Sequence, residues 1–302
     1  MQQSELVGRL DAYFQAQRYN EQEHWLGFLA EAQKSSARPH YAPAFWEGTW
    51  NGLMLDNTQT VDRVYLVVFP TREIIDTIIA REVGRGAPGA LIFAHHPFAY
   101  DESEGRFTPI PLEQLEELRE HHISTYICHA PLDCHSEIST GTALASAIGL
   151  NDLARFGEHF GGYAGVIGNV PATPFQAFAE RLAKACELQR LRYDQILHAG
   201  QPVRRVALVA GGGGTPHFID EAANLGADTF VTGHWHLFAD SPFAQERREA
   251  FRTYIPTLKI NLLGTSHYSS EMVVMRDTMK GWFVRELDLE TFFIPQENPW
   301  SA

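Results

Sequence analysis

"VRRVALVAGGGGTPHFIDEAANLGADTFVTG", residues 203–233, decides the fold class. It opens on an apolar run short enough for a buried strand, turns through four glycines, and enters a helix that Thr215 can cap. "ADTFVTG" then reads as a second strand. A strand, a covering helix and a strand running the same way make a crossover unit, the building block of a parallel sheet. Glycine N–H groups at a helix start can hold a phosphate or carboxylate. No Gly-Lys-Ser/Thr follows as in a P-loop, and the spacing of a dinucleotide fingerprint is absent. A tight, closely packed turn explains the glycines nearly as well.

The same alternation extends in both directions. "RVYLVVF" (63–69) is a strand, and "TREIIDTIIAREVG" is a helix capped by Thr71 and ending at Gly84. "ALIF", "ISTYIC", "YAGVIGNV" and "LKINLLG" read as further strands. "PLEQLEELREHH", "GTALASAIGL" and "PFQAFAERLAKACEL" read as helices. The pattern predicts an α/β protein with largely parallel or mixed sheets covered by helices. Residues 1–41 form a helical opening segment in which "EHWLGFLAEAQ" has helical apolar spacing, and "YAPAFWEGTWNGLML" is an aromatic-rich connector. A first α/β half is expected over 42–160 and a second over 161–302.

With 302 residues, 44% of them hydrophobic and 20% charged, the chain can bury a substantial core and is not disordered. A net charge of −13 disfavours nucleic acid and anionic membranes as partners. The amphipathic, acid-containing start is neither a secretory signal nor a transit peptide, and no run reaches membrane-spanning length. The 3 cysteines form no C-x-x-C pair, which suits reduced thiols and a cytoplasmic location.

Histidine is the unusual residue: the chain has 14, and they cluster behind apolar runs. Ligands in open α/β sheets collect at the carboxyl ends of strands. "LIFAHHPFAY" (91–100) delivers His95 and His96 there, where Pro97 stops the ladder and the backbone can aim both rings at one point. "STYICHAPLDCHS" delivers His129, Asp133 and His135. "DTFVTGHWH" delivers His234 and His236, and "NLLGTSHYSSE" delivers His267 and Glu271. If "SHYSSE" begins a helix, His267 and Glu271 stack one turn apart. A lone strand-end histidine is more often a hydrogen-bonded structural residue, and Asp133 in its position is commonly a helix cap. Convergence of several such groups points to metal. Imidazole and carboxylate without thiolate suit zinc, iron, manganese or cobalt. Two metals roughly 3.5–4 Å apart are a standard hydrolytic arrangement.

"IFAHHPF", "CHAPLDCH", "GGGG…FIDEAANLGADTFVTG" and "LLGTSHYSSE" resemble, in order and spacing, the NIF-three-like family, whose members are often labelled GTP cyclohydrolase 1 type 2 homologs. "WNGLML" looks like that family's amino-terminal Asn-Gly-Leu motif. The resemblance implies two similar α/β halves and two divalent ions per chain. It also implies His95, His96, Asp133, His267 and Glu271 as ligands, with Glu271 bridging. A homohexameric ring is implied too. The label implies hydrolytic opening of the guanine imidazole ring of GTP, although no residue selects that nucleotide. The family usually has a carboxylate after "VTG", where His234 stands here. His234 is thus a candidate to supply a proton or contact a small-molecule substrate, or a histidine simply accommodated in a polar pocket. His129 and His135, beside Asp133, are candidates to carry a proton to the leaving group. "ADTFVTGHWH" also resembles the last motif of calcineurin-like phosphoesterases, whose earlier Asp-x-His and Gly-Asn-His-Asp/Glu motifs are missing. The expected function is a dinuclear-metal hydrolase. Its rival is a non-catalytic metal-binding or regulatory ring.

Overall fold

The computed structural model describes residues 1–195, 201–235 and 242–297. The chain forms two compact units that do not follow chain order. One takes Met1–Tyr100, Phe107–His135 and Met275–Gln296; the other is built chiefly from Asp101–Arg106 and Ser136–Val274.

The first unit holds a five-stranded sheet in the order Gly52–Leu55, Ile123–Ile127, Ala90–Ala94, Arg63–Val67, Glu290–Phe293. Neighbours from Ile123–Ile127 to Glu290–Phe293 are parallel, and only Gly52–Leu55 pairs antiparallel. The three inner strands are buried at every position, as continuous apolar runs covered on both faces must be. Strand alternation divides their side chains between two layers. Tyr65, Val67, Ile92 and Ala94 join Ile74, Ile75 and Ile78 of helix Arg72–Arg85 and Leu115 and Leu118 of helix Leu112–Glu120. Phe93, on the other face, meets Phe14 and Phe283 with ring centroids 6.0 and 5.2 Å away. Those rings belong to helices Gln3–Phe14 and Lys280–Leu287.

Local chemistry sets the ends of these elements. Thr71 accepts from the Ile74 N–H, as the cap reading expects. The helix runs one residue past Gly84 and stops at Gly86, whose φ of 68° is the left-handed conformation that ends helices. "EHWLGFLAEAQ" is not one helix. It breaks into Gln22–Leu26 and Glu31–Ala37, because Ala30 is extended and its N–H is taken by the Gln33 side chain, which starts a new helix. The connector contains strand Gly52–Leu55, held at the sheet edge.

The second unit holds six strands in the order Asn151–His159, Gly162–Thr173, Val203–Val209, Thr229–Thr232, Asn261–Gly264, Arg192–Gln195. Its three central strands, Val203–Val209, Thr229–Thr232 and Asn261–Gly264, are parallel. The flanking strands are antiparallel. Ala207, Val209, Phe230 and Leu262 pack with Ile219 and Ala222 of helix Pro216–Asn224. Helix Thr140–Ala147 lies close to the sheet through Gly141, where an added Cβ would stand 2.9 Å from Val166 Cγ2. Among the described residues no helix is long and apolar enough to cross a membrane.

Candidate metal centre

In the first unit, strands Ala90–Ala94 and Ile123–Ile127 lie side by side and parallel, so their carboxyl ends deliver His95, His96 and His129 to one place. The ladder continues briefly, with the His95 and His96 N–H groups donating to the Val67 and Val68 carbonyls. The two adjacent rings then lie 4.4 Å apart at 73°, and each is about as near His129, at 5.0 and 4.7 Å. One nitrogen from each of the three falls within 4.8 Å of the others, and all three side chains are buried. Asp133 sits in the one-turn helix Ala130–Asp133 that follows His129. Its carboxylate is 3.5 Å from His95 Nε2 and 3.8 Å from His129 Nε2. Asp133 therefore faces the histidines and does not serve as a helix cap.

Each ring is oriented by what lies behind it. His95 Nδ1 is 2.9 Å from the Cys128 carbonyl, so Nδ1–H donates and Nε2 is turned to Asp133. His96 stacks on Phe69, with centroids 4.3 Å apart. His129 Nδ1 is 2.5 Å from Glu21 Oε1. Burial works against charge on His129, but the Glu21 carboxylate outweighs it and raises the imidazole pKa. Burial likewise opposes ionisation of Glu21, yet His129 and Asn51 hold its pKa below the ordinary value. His135 goes elsewhere: it hydrogen-bonds the Tyr13 carbonyl at 3.2 Å and stacks on the Tyr13 ring.

In the second unit, three parallel strands lead to Gly211, His234 and His267. Ser266 caps helix His267–Val273 by accepting from the Ser269 N–H, and the helix stacks His267 and Glu271 on one face with Nε2 and Oε1 3.2 Å apart. His234 Nε2 is 3.4 Å from His267 Nδ1. Burial, with His267 and Arg247 nearby, holds the His234 pKa well below its usual value. His236 lies outside the described residues.

Sequence reasoning left the role of the glycine turn open and did not find Glu102. Gly211 has φ 61°, donates its N–H to Ser270 Oγ, and lies so close to the donor pair that an added Cβ would stand 2.0 Å from Glu271 Oε1 and 2.7 Å from His267 Nε2. The glycine turn thus serves close approach, which a strand–turn–helix pattern alone leaves open. Glu102 accepts from the Tyr268 N–H at 3.0 Å, and burial pushes its pKa up to about 7. It stands in an acidic loop without a motif, and no signal in the sequence marks it.

Known proteins resemble this chain in sequence and in fold. The chain is 28% identical over 280 residues to the GTP cyclohydrolase 1 type 2 homolog of Pyrococcus abyssi (strain GE5 / Orsay), covering 91% of this chain and 97% of the relative. It is 26% identical over 268 residues to the protein of the same name from Yersinia pestis, covering 85% and 93% of the two chains. Among solved structures, protein ybgI, described as of unknown function, matches with a TM-score of 0.66 at 21% identity, covering 99% of this chain and 100% of that one. TTHA1606 from Thermus thermophilus matches at 0.63 and 22% identity, with 99% and 100% covered. At such identities the likeness shows the fold, two α/β halves wrapped by helices. A family model, Duf34/NIF3 (NGG1p interacting factor 3), matches residues 31–299. With nearly the whole chain matched, this protein belongs to the Duf34/NIF3 family.

Proposed function

We propose that the chain is a divalent-metal-dependent hydrolase with a dinuclear centre, held by His95, His96, Asp133, His267 and Glu271, with Glu271 shared between the ions. The observation that carries this reading is the buried cluster of His95, His96 and His129 at adjacent strand ends. The residues fit a metal. A carbonyl behind His95 is the outer contact that orients a metal-facing imidazole. In the other half, Gly211 leaves the space that the Glu271 carboxylate fills. The donor set of imidazole and carboxylate suits zinc, iron, manganese or cobalt.

Two ions bound there would act as Lewis acids and bring the pKa of bound water towards neutrality. The chain's own residues supply positioning and proton transfer. His129, held by Glu21, carries a proton to the leaving group; His135 is the weaker choice, since its ring is engaged with Tyr13. His234, its Nε2 3.4 Å from His267 Nδ1, is the further candidate to supply a proton or contact substrate. The names of the relatives point to a nucleotide of the GTP class as substrate. Family likeness also supports a homo-oligomer, a hexameric ring, acting on a small molecule; the net charge of −13 argues against nucleic acid and anionic membranes, and the cysteine pattern suits the cytoplasm.

A turnover panel of GTP and phosphodiesters, with and without chelator, tests the reading. Metal-dependent hydrolysis that Glu271→Ala reduces at least ~100-fold supports it, being the order expected from losing one electrostatic stabiliser. Tight metal retention without turnover of any substrate would favour a metal-binding or regulatory ring instead.

A further inference from the structure

Glu21 precedes the residues that the family model matches, which begin at 31, yet it reaches the histidine cluster of its own unit. It is 1% exposed. A carboxylate buried to that degree is stable only when its oxygens are fully engaged. Its Oε1 lies 2.5 Å from His129 Nδ1; its Oε2 accepts from Asn51 Nδ2 at 2.7 Å and from the Ala130 N–H at 3.3 Å. Asn51 Oδ1 in turn accepts from the His129 N–H at 3.0 Å. Trp25, four residues after Glu21 and also before the matched region, sets its ring edge-on to His129 at 5.0 Å and to His96 at 5.9 Å. A structural role, capping the turn Ala130–Asp133, accounts for the Ala130 bond and leaves the His129 Nδ1 contact unexplained.

A carboxylate only accepts, so the proton of this contact belongs to Nδ1. His129 Nε2 is then the nitrogen turned to Asp133, 3.8 Å away. We propose that Glu21 is a positioning residue for His129: it fixes the Nδ1–H tautomer and turns Nε2 to the metal donors, so that the opening segment of this chain completes the site. The role of Nε2 as proton carrier rests on the hydrolase reading, whereas the tautomer does not.

The test is nitrogen NMR of the whole chain with labelled histidine, recorded where the His129 ring is neutral, on wild type, Glu21→Gln and Glu21→Ala. Wild type is expected to keep its proton on Nδ1. Glu21→Gln, which retains an accepting oxygen, should do the same, while Glu21→Ala releases the ring to a mixture. If turnover is found, Glu21→Ala should lower it about 10- to 100-fold and Glu21→Gln should recover most of it, the range typical of lost outer contacts. Absence of turnover in wild type would count against the hydrolase and leave the tautomer readout standing. A proton on Nε2 in wild type, or His129 signals unchanged in folded Glu21→Ala, overturns the proposal. The wild-type spectrum decides even if Glu21→Ala does not fold.

Discussion

Gly211 shows how little room the second donor pair leaves. Any side chain there meets Glu271 Oε1 at 2.0 Å, and the positive φ adds backbone strain for every other residue. Gly211→Ala should displace the Glu271 carboxylate and weaken metal capture at least ~10-fold, with about 1–3 kcal/mol of lost stability from the backbone. Calorimetric titration with zinc and a thermal melt read the two effects separately. Ser266→Ala removes the hydroxyl that caps helix His267–Val273 and should cost about 1 kcal/mol, read as a lower melting temperature. At this scale the strand-end histidines were legible because they follow apolar strands, where a polar residue needs a reason. Gly211, Glu102 and Glu21 were not. Their roles depend on contacts across long sequence separations, 59 residues from Gly211 to Ser270 and 108 from Glu21 to His129.

Between elements, strand Arg63–Val67 and helix Arg72–Arg85 are joined by a buried ion pair. Arg63 Nε lies 2.8 Å from both Glu82 oxygens, and the Tyr65 hydroxyl donates to Glu82 at 2.6 Å. Glu82→Ala removes the buried partner of the guanidinium and leaves it only Asp62 and the Ala87 carbonyl, so about 1–3 kcal/mol of stability should disappear in urea unfolding. Burial pushes the Glu82 pKa up, but the Arg63 and Tyr65 hydrogen bonds outweigh it and hold it below its ordinary 4.5. A depressed carboxylate contributes stability that is present above the unfolded value and fades as pH falls through the folded one. The stability gap between wild type and Glu82→Gln should therefore narrow only below 4.5, in melts run at descending pH.

The same scale explains which strands could be read. Inner parallel strands are apolar at every position, and their runs stand out. Gly52–Leu55 hides among aromatics and turn residues at the sheet edge. Asn151–His159 is exposed along its first four residues, so it lacks both an apolar run and clean alternation. Glu290–Phe293 pairs with Arg63–Val67 across more than two hundred residues, a partnership no local pattern announces. The break in "EHWLGFLAEAQ" was hidden because Ala30 is a poor cap by type, and its N–H is satisfied by Gln33 instead.

At the scale of the whole molecule, the proposed donor set draws His95, His96 and Asp133 from one unit and His267 and Glu271 from the other. The proposed six-membered ring predicts a solution mass near six times that of the chain, which light scattering can check. The central claim is that these donors together hold a pair of cations. Equilibrium dialysis of zinc into chelator-stripped protein tests it most directly. The expected result is two ions per chain for wild type and at most one for Glu271→Ala. One ion or none in wild type, or two retained by Glu271→Ala, would contradict it.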